Sequence, residues 1–400
     1  MNSNTYRRAR ARLFSNPVSR VGTFIPAIGA ALVAATGAAQ ADALTTPAMS
    51  GPLKANASPT TFDAGPLGKI FITGAISGIG VVQDNVSPGD RNSYVDFSNG
   101  QVFVLKTDGW LQFFVQAGAY SLPALGTPYL RAGTATNTFF GVVPQAFLKV
   151  APTDDFSIIA GKLPTLIGAE YTFTFENMNI DRGLLWNQEN AVNRGVQANY
   201  TMGPLTFALS WNDGFYSDRY NWLWGSVAYT IDPENSLSFI AGGNLGRTAF
   251  SSLAAPLAQN NSDIYNIIYT HTSVPWTINP YLQYTHVAAD TKIGIAHSAD
   301  TWGAALLVSY AFDDNWSLAG RVEYIDSNGS VANGAPSLIY GPGSNAWSLT
   351  LTPTYQKGIF FARADLSYVG AGSTTPGFAL GPTFSDTSQA RAALEVGVLF

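Results

Sequence analysis

Between Lys69 and Phe400 the chain breaks into apolar–polar alternating segments of about ten residues, and the connections joining them are by turns short and long. Successive side chains of a strand point to opposite faces, so each such segment has one greasy side and one wet side. Leu205, Phe207, Leu209 and Trp211 stand against Thr206, Ala208, Ser210 and Asn212, and Leu394, Val396, Val398 and Phe400 stand against Gln389, Arg391 and Glu395. The pattern predicts strands near 70–80, 94–104, 110–118, 140–150, 155–163, 194–202, 204–213, 221–231, 236–246, 261–271, 276–287, 301–312, 316–326, 346–356, 359–369 and 390–400, sixteen in all. The short connections at 107–109, 152–154, 202–204, 232–235, 272–274, 313–315 and 356–358 are made largely of turn formers. The long ones fall between them, at 119–139, 164–193, 247–260, 288–300, 327–345 and 370–389. A soluble β-sandwich has no reason to sort its loops by parity. An outer-membrane barrel does, with short turns on the periplasmic side and long loops outside. The expected fold is therefore all-β: a transmembrane up-and-down antiparallel β-barrel of about sixteen strands.

The aromatic residues agree. Trp276 and Trp316 begin rising segments and Tyr310, Tyr355 and Phe400 end falling ones, which puts all five at the periplasmic interface. Trp302, Trp347, Trp211, Tyr324 and Tyr368 fall at the external interface. Two belts of amphipathic rings are what the two membrane–water boundaries favour.

The N-terminus is expected to be a secretory signal over residues 1–41. Arg7, Arg8, Arg10, Arg12 and Arg20 precede a short apolar core over 24–36, and Ala39-Gln40-Ala41 is a small-x-small cleavage site. Without that segment the chain has 16 basic and 26 acidic residues, a net charge of −10, which disfavours nucleic acid as a partner. Residues 42–66 lack periodicity and predict a flexible lead-in to a barrel over 67–400. Cysteine is absent, which excludes disulfides and thiolate metal sites, and His271, His286 and His297 are too scattered for a metal cluster. No cofactor is expected.

Five short runs carry a family likeness: QAGAY at 116–120, GKLPTLIGAE at 161–170, RGLL at 182–185, RGVQANY at 194–200 and WNDG at 211–214. In these the chain resembles the OmpL-like outer-membrane β-barrel porins, the porin-2 family. The likeness is confined to residues 95–244, and the second half matches only in its barrel pattern. The resemblance implies an outer-membrane channel of a Gram-negative bacterium for passive diffusion of small polar solutes and ions. It also implies that Phe400 is the signal read by the barrel-assembly machinery, and, by analogy with sixteen-stranded porins, a homotrimer. The Pro-Glu-Phe-Gly motif of general porins' constriction loop is missing.

Two charged groups stand out. The loop 164–193 carries Glu170, Glu176, Asp181, Arg182 and Glu189 among Tyr171, Phe173, Phe175 and Trp186, so it is expected to fold into the lumen and narrow it. Arg321 and Glu323, Arg363 and Asp365, and Arg391 and Glu395 lie on the polar faces of the thirteenth, fifteenth and sixteenth segments and are expected to form a charged pore wall. An acidic loop facing an arginine-bearing wall would set a transverse field across passing solutes; the same residues could instead pair with each other and stiffen the wall. The net charge favours weak cation preference. Three other functions compete. A substrate-specific channel for sugars or organic ions would carry an aromatic ladder, for which Phe114, Trp222, Trp224, Tyr281 and Phe361 are irregular candidates. A barrel enzyme would need a nucleophile, base and orienter at one level, and no Gly-x-Ser-x-Gly elbow is present. A structural barrel would be expected to bring a plug or a separate domain.

Overall fold

A computed structural model describes residues 51–400, so the signal segment and the first part of the lead-in lie outside the described residues. The strands are β1 (Thr60–Asp63), β2 (Lys69–Gln83), β3 (Ser93–Lys106), β4 (Leu111–Tyr120), β5 (Gln145–Val150), β6 (Phe156–Pro164), β7 (Val192–Met202), β8 (Leu205–Asn212), β9 (Trp222–Asp232), β10 (Asn235–Asn244), β11 (Ser262–Ser273), β12 (Trp276–Val287), β13 (Ala299–Ala311), β14 (Trp316–Ser327), β15 (Asn345–Lys357), β16 (Phe360–Gly372) and β17 (Ser388–Leu399). From β2 to β17 each strand pairs antiparallel with the next, and β17 pairs back onto β2, so sixteen strands close a barrel. Closure leaves no open edge in the hydrocarbon, where an unpaired backbone group has no water to turn to.

All sixteen expected segments are strands. One expectation moves: residues 140–144 belong to the preceding loop, and β5 begins at Gln145. That loop carries a short helix, Ala132–Thr138, whose N-terminal Ala132 amide donates to Asp96. The lead-in is also more ordered than its composition implied. Within it, β1 pairs with Lys69–Ile72 of β2 and continues that edge below the point where the C-terminal strand stops. Further upstream Leu53 is buried, and the Lys54 backbone exchanges two hydrogen bonds with the Gln356 side chain.

The seam depends on a glycine. Phe400 exchanges backbone hydrogen bonds of 3.0 and 2.9 Å with Gly74, and Thr73 Oγ1 donates to the Phe400 carbonyl. The Phe400 ring lies against Gly74 so closely that a Cβ there would stand 2.4 Å from it.

On the outer face the belts are built of cross-strand pairs. Trp276 meets Tyr310 at 4.6 Å between ring centres and Trp316 meets Tyr355 at 4.8 Å on the short-turn side. Tyr284 meets Trp302 at 4.3 Å and Trp347 meets Tyr368 at 5.3 Å on the long-loop side. Between them Leu282, Val322, Leu349, Leu351, Leu366 and Leu394 are exposed, the apolar band expected where lipid is the solvent.

Candidate pore and its folded-in loop

The third long connection leaves β6 at Pro164 and returns at Val192, and every residue from Thr165 to Ala191 except Asn187 is buried. It does not cross open water. It lies inside the barrel, held by its aromatic side chains on one side and its charges on another. Phe173 and Phe175 pack on Tyr120 and Phe103, with ring centres 5.1 and 5.8 Å apart. Below them Phe114, Phe361, Leu399 and Leu53 complete an apolar cluster, so this part of the lumen is dry. Each buried phenylalanine contributes roughly 1.5–3 kcal/mol relative to exposure.

The acidic residues of the loop meet the arginines of the wall directly. Glu170 Oε1 lies 2.5 Å from Arg321 Nη1, and Arg321 Nε lies 3.1 Å from Glu323 on the same strand. Asp181 Oδ1 lies 2.7 Å from Arg391 Nη1, and Arg363 Nη2 lies 2.9 Å from Glu395. Backbone groups supply further partners, while Asp181 Oδ2, Asp365 Oδ1 and Arg363 Nε have no hydrogen-bond partner. Arg363 donates to the carbonyls of Asn177 (2.8 Å) and Thr174 (2.7 Å), and Arg321 to that of Asp181 (2.8 Å). In return Asp365 accepts the Ile180 amide at 2.8 Å, and Glu323 accepts the Leu184 amide at 3.0 Å. Such networks hold buried charge only when nearly every donor and acceptor is matched.

Arg321, Glu323, Arg363, Asp365, Arg391 and Glu395 face inward on their strands, and the loop covers all six. A transverse field needs a gap between loop and wall, and here the two surfaces touch; that part of the sequence expectation is corrected. Arg182 also differs from its neighbours. Its guanidinium donates to the Ile180 and Thr172 carbonyls within the loop and lies over the Trp186 ring at 5.6 Å. Glu176 accepts from the Phe173 amide, and burial pushes its carboxyl up to about 8. Glu189 is the exception: it is fully buried, neither carboxylate oxygen has a hydrogen-bond partner, and desolvation raises it well above the ordinary carboxylate range. It rests on Gly168, where a Cβ would lie 1.9 Å from Oε2, and where φ is +89°.

Charge did not point to the neutral partners. Ser77 and Asn99 bond Glu395, Asn266 accepts the Gly168 amide at 2.8 Å, and Gln283 donates to the Leu185 carbonyl at 3.1 Å. Their only sequence signal is an amide or hydroxyl at an inward position of a strand. Phe114, Trp222, Trp224, Tyr281 and Phe361 all face inward and are buried; Trp222 and Trp224 stack at 5.2 Å. The histidines are dispersed. His271 lies 2.9 Å from Asn235 beside a short turn, His286 pairs with Asp300 at 2.7 Å on the outer face, and His297 is exposed in a long connection.

A family model described as "Putative beta-barrel porin-2, OmpL-like" matches residues 69–400, the whole barrel. The chain belongs to this porin family. Solved outer-membrane proteins share the porin's fold at low identity. OmpT of Vibrio cholerae is 12% identical with a TM-score of 0.56, covering 86% of this chain and 100% of that one. The outer-membrane channel DcaP of Acinetobacter baumannii is 10% identical with a TM-score of 0.53, covering 83% and 97%. OmpF of Salmonella typhi, solved with daunomycin, is 14% identical with a TM-score of 0.52, covering 83% and 98%. No curated protein sequence matches the chain. The porin is thus an outer-membrane β-barrel.

Proposed function

We propose that the protein is a passive diffusion channel for small polar solutes and ions, with no catalytic role. The observation that carries this reading is the closed sixteen-strand barrel with a long loop folded into its lumen as a constriction. A barrel of this size is wide enough for an aqueous path, and the folded-in loop narrows it. The net charge of −10 outside the signal segment favours weak cation preference. Export by a cleaved signal at 1–41 and recognition of Phe400 by the barrel-assembly machinery complete the reading. Planar-bilayer recording tests it: the refolded protein is expected to give stepwise conductance with a reversal potential shifted modestly toward cations. A protein that inserts without conducting overturns it.

Homotrimer formation is part of the proposal, supported by a break in the aromatic belts. No tryptophan or tyrosine faces outward on β17 or on β2 to β6; the outer face there presents Gly78, Gly80, Gly100, Ala117, Ala160 and Ala392 among Val95, Phe97 and Val102. Belt residues anchor a surface to the lipid boundary. A sector without them, floored by small residues that allow close approach, fits a neighbouring barrel.

A further inference from the structure

The outer wall is not an even band of apolar side chains. On β7 to β11 a groove of about 700 Å³ is cut into it. Gly225 and Ala241 stand opposite each other on β9 and β10, with Gly243 one step further toward the long loops, all three facing outward. With so little side chain they form a floor. Leu209 and Tyr265 stand to either side of it, on the strands paired with β9 and β10. From Phe239 to Leu245 the groove runs along β10 for about 20 Å. That exceeds one leaflet of a hydrocarbon core about 30 Å thick.

The surroundings of the groove belong to the lipid-facing part of the barrel. Trp211 beside it is a belt residue, and its Nε1 donates to the Tyr220 carbonyl at 2.9 Å. Tyr265 stacks on Tyr284 at 6.0 Å. The belt-free sector lies elsewhere on the wall, so the groove opens to lipid. Asp263, its one charged lining residue, sits at the long-loop end. The connections above that end carry Arg219 and Arg247. They are tied together by the Leu245 amide, which donates to the Asn221 carbonyl at 2.7 Å. Both arginines are exposed and, among the described residues, neither is in an ion pair. Arg247 donates to the carbonyls of Asn261 (3.4 Å) and Ala288 (3.2 Å), and Arg219 lies over the Phe250 ring at 5.9 Å.

We propose that this groove binds one lipid A molecule, the acylated and phosphorylated glucosamine anchor of the external leaflet. One acyl chain lies on the small-residue floor, which lets it approach the backbone closely. A phosphate meets Arg219 and Arg247, whose planar guanidinium groups match phosphate oxygens. Asp263 accepts hydrogen bonds from the sugar's hydroxyl and amide groups.

Native mass spectrometry of the refolded barrel in mild detergent, with synthetic diphosphoryl lipid A added, tests the assignment. One lipid A per chain is expected to survive activation that strips phosphatidylglycerol. Gly225→Leu fills the floor, where the nearest atom to a Cβ is the Ala208 carbonyl oxygen at 3.9 Å, and the retained fraction is expected to fall several-fold. If Gly225→Leu does not refold, Ala241→Leu serves in its place. Arg219→Gln combined with Arg247→Gln is expected to remove the preference for diphosphoryl over monophosphoryl lipid A. Ala304→Leu, on the outer face of β13, is expected to change neither. No retention by the wild type, undiminished retention in the floor variant, or phosphatidylglycerol held as firmly as lipid A overturns the assignment. So does a second copy of the chain released by the floor variant, which would make the groove an interface between barrels.

Discussion

Arg363 shows how much one side chain can hold. It joins Glu395 on β17 to two carbonyls of the loop, with all partners buried. Arg363→Ala leaves the Glu395 carboxylate without its cation in a dry site, which costs about 3–5 kcal/mol. The expected result is a lower urea midpoint for the refolded barrel and a higher, noisier conductance as the loop detaches. Glu176 makes loop docking sensitive to pH. Its carboxyl stands at about 8 when docked, above the ordinary value of 4.5, because burial disfavours the charged form. A raised acid stabilises the docked state fully below the ordinary value, and that contribution is lost as pH rises through about 8. Open-channel noise is therefore expected to grow between about pH 5 and pH 8 and to level off above that, and Glu176→Gln to flatten the dependence. A wild-type trace unchanged across that range would refute the assignment.

At the level of strands and loops, the pattern was legible where it repeats. Period-two alternation, turn residues and belt aromatics each act locally, so all sixteen barrel strands were readable. The misses have physical causes. Residues 140–144 alternate well enough, but the helix at Ala132–Thr138 draws them into the loop. β1 is too short to carry a period and exists because β2 has a free edge below Phe400. In the candidate site, parity fixed which wall residues face inward, but parity says nothing of depth or of who meets whom. Glu170 and Arg321 are 151 positions apart, and only the closed barrel brings them to 2.5 Å. Asn266 and Gln283 went unnoticed because an uncharged amide leaves no mark in a polar strand face. The seam offers a test at this scale. Gly74→Val places a branched side chain where a Cβ alone would stand 2.4 Å from the Phe400 ring and 2.5 Å from the Gln101 carbonyl. Folding yield into detergent micelles is expected to fall sharply, and Gly100→Val, with open space at its Cβ, to be tolerated.

For the molecule as a whole, the belt-free sector predicts where copies meet. Val102→Cys and Val396→Cys lie within it, and Leu349→Cys lies between complete belts. Bifunctional thiol reagents in mild detergent are expected to link the first two into oligomers and to leave the third monomeric; the reverse pattern would move the interface. The folded-in loop has one more consequence, for the order of assembly. Its partners Arg321, Arg363 and Arg391 sit on strands made after it, and its bonds to β17 span 210 and 221 positions. The loop therefore cannot complete its docking until the last strand is in hand. The barrel must close around its own contents, so the step that seals the seam also traps the constriction, and a chain truncated in β17 would be left with neither.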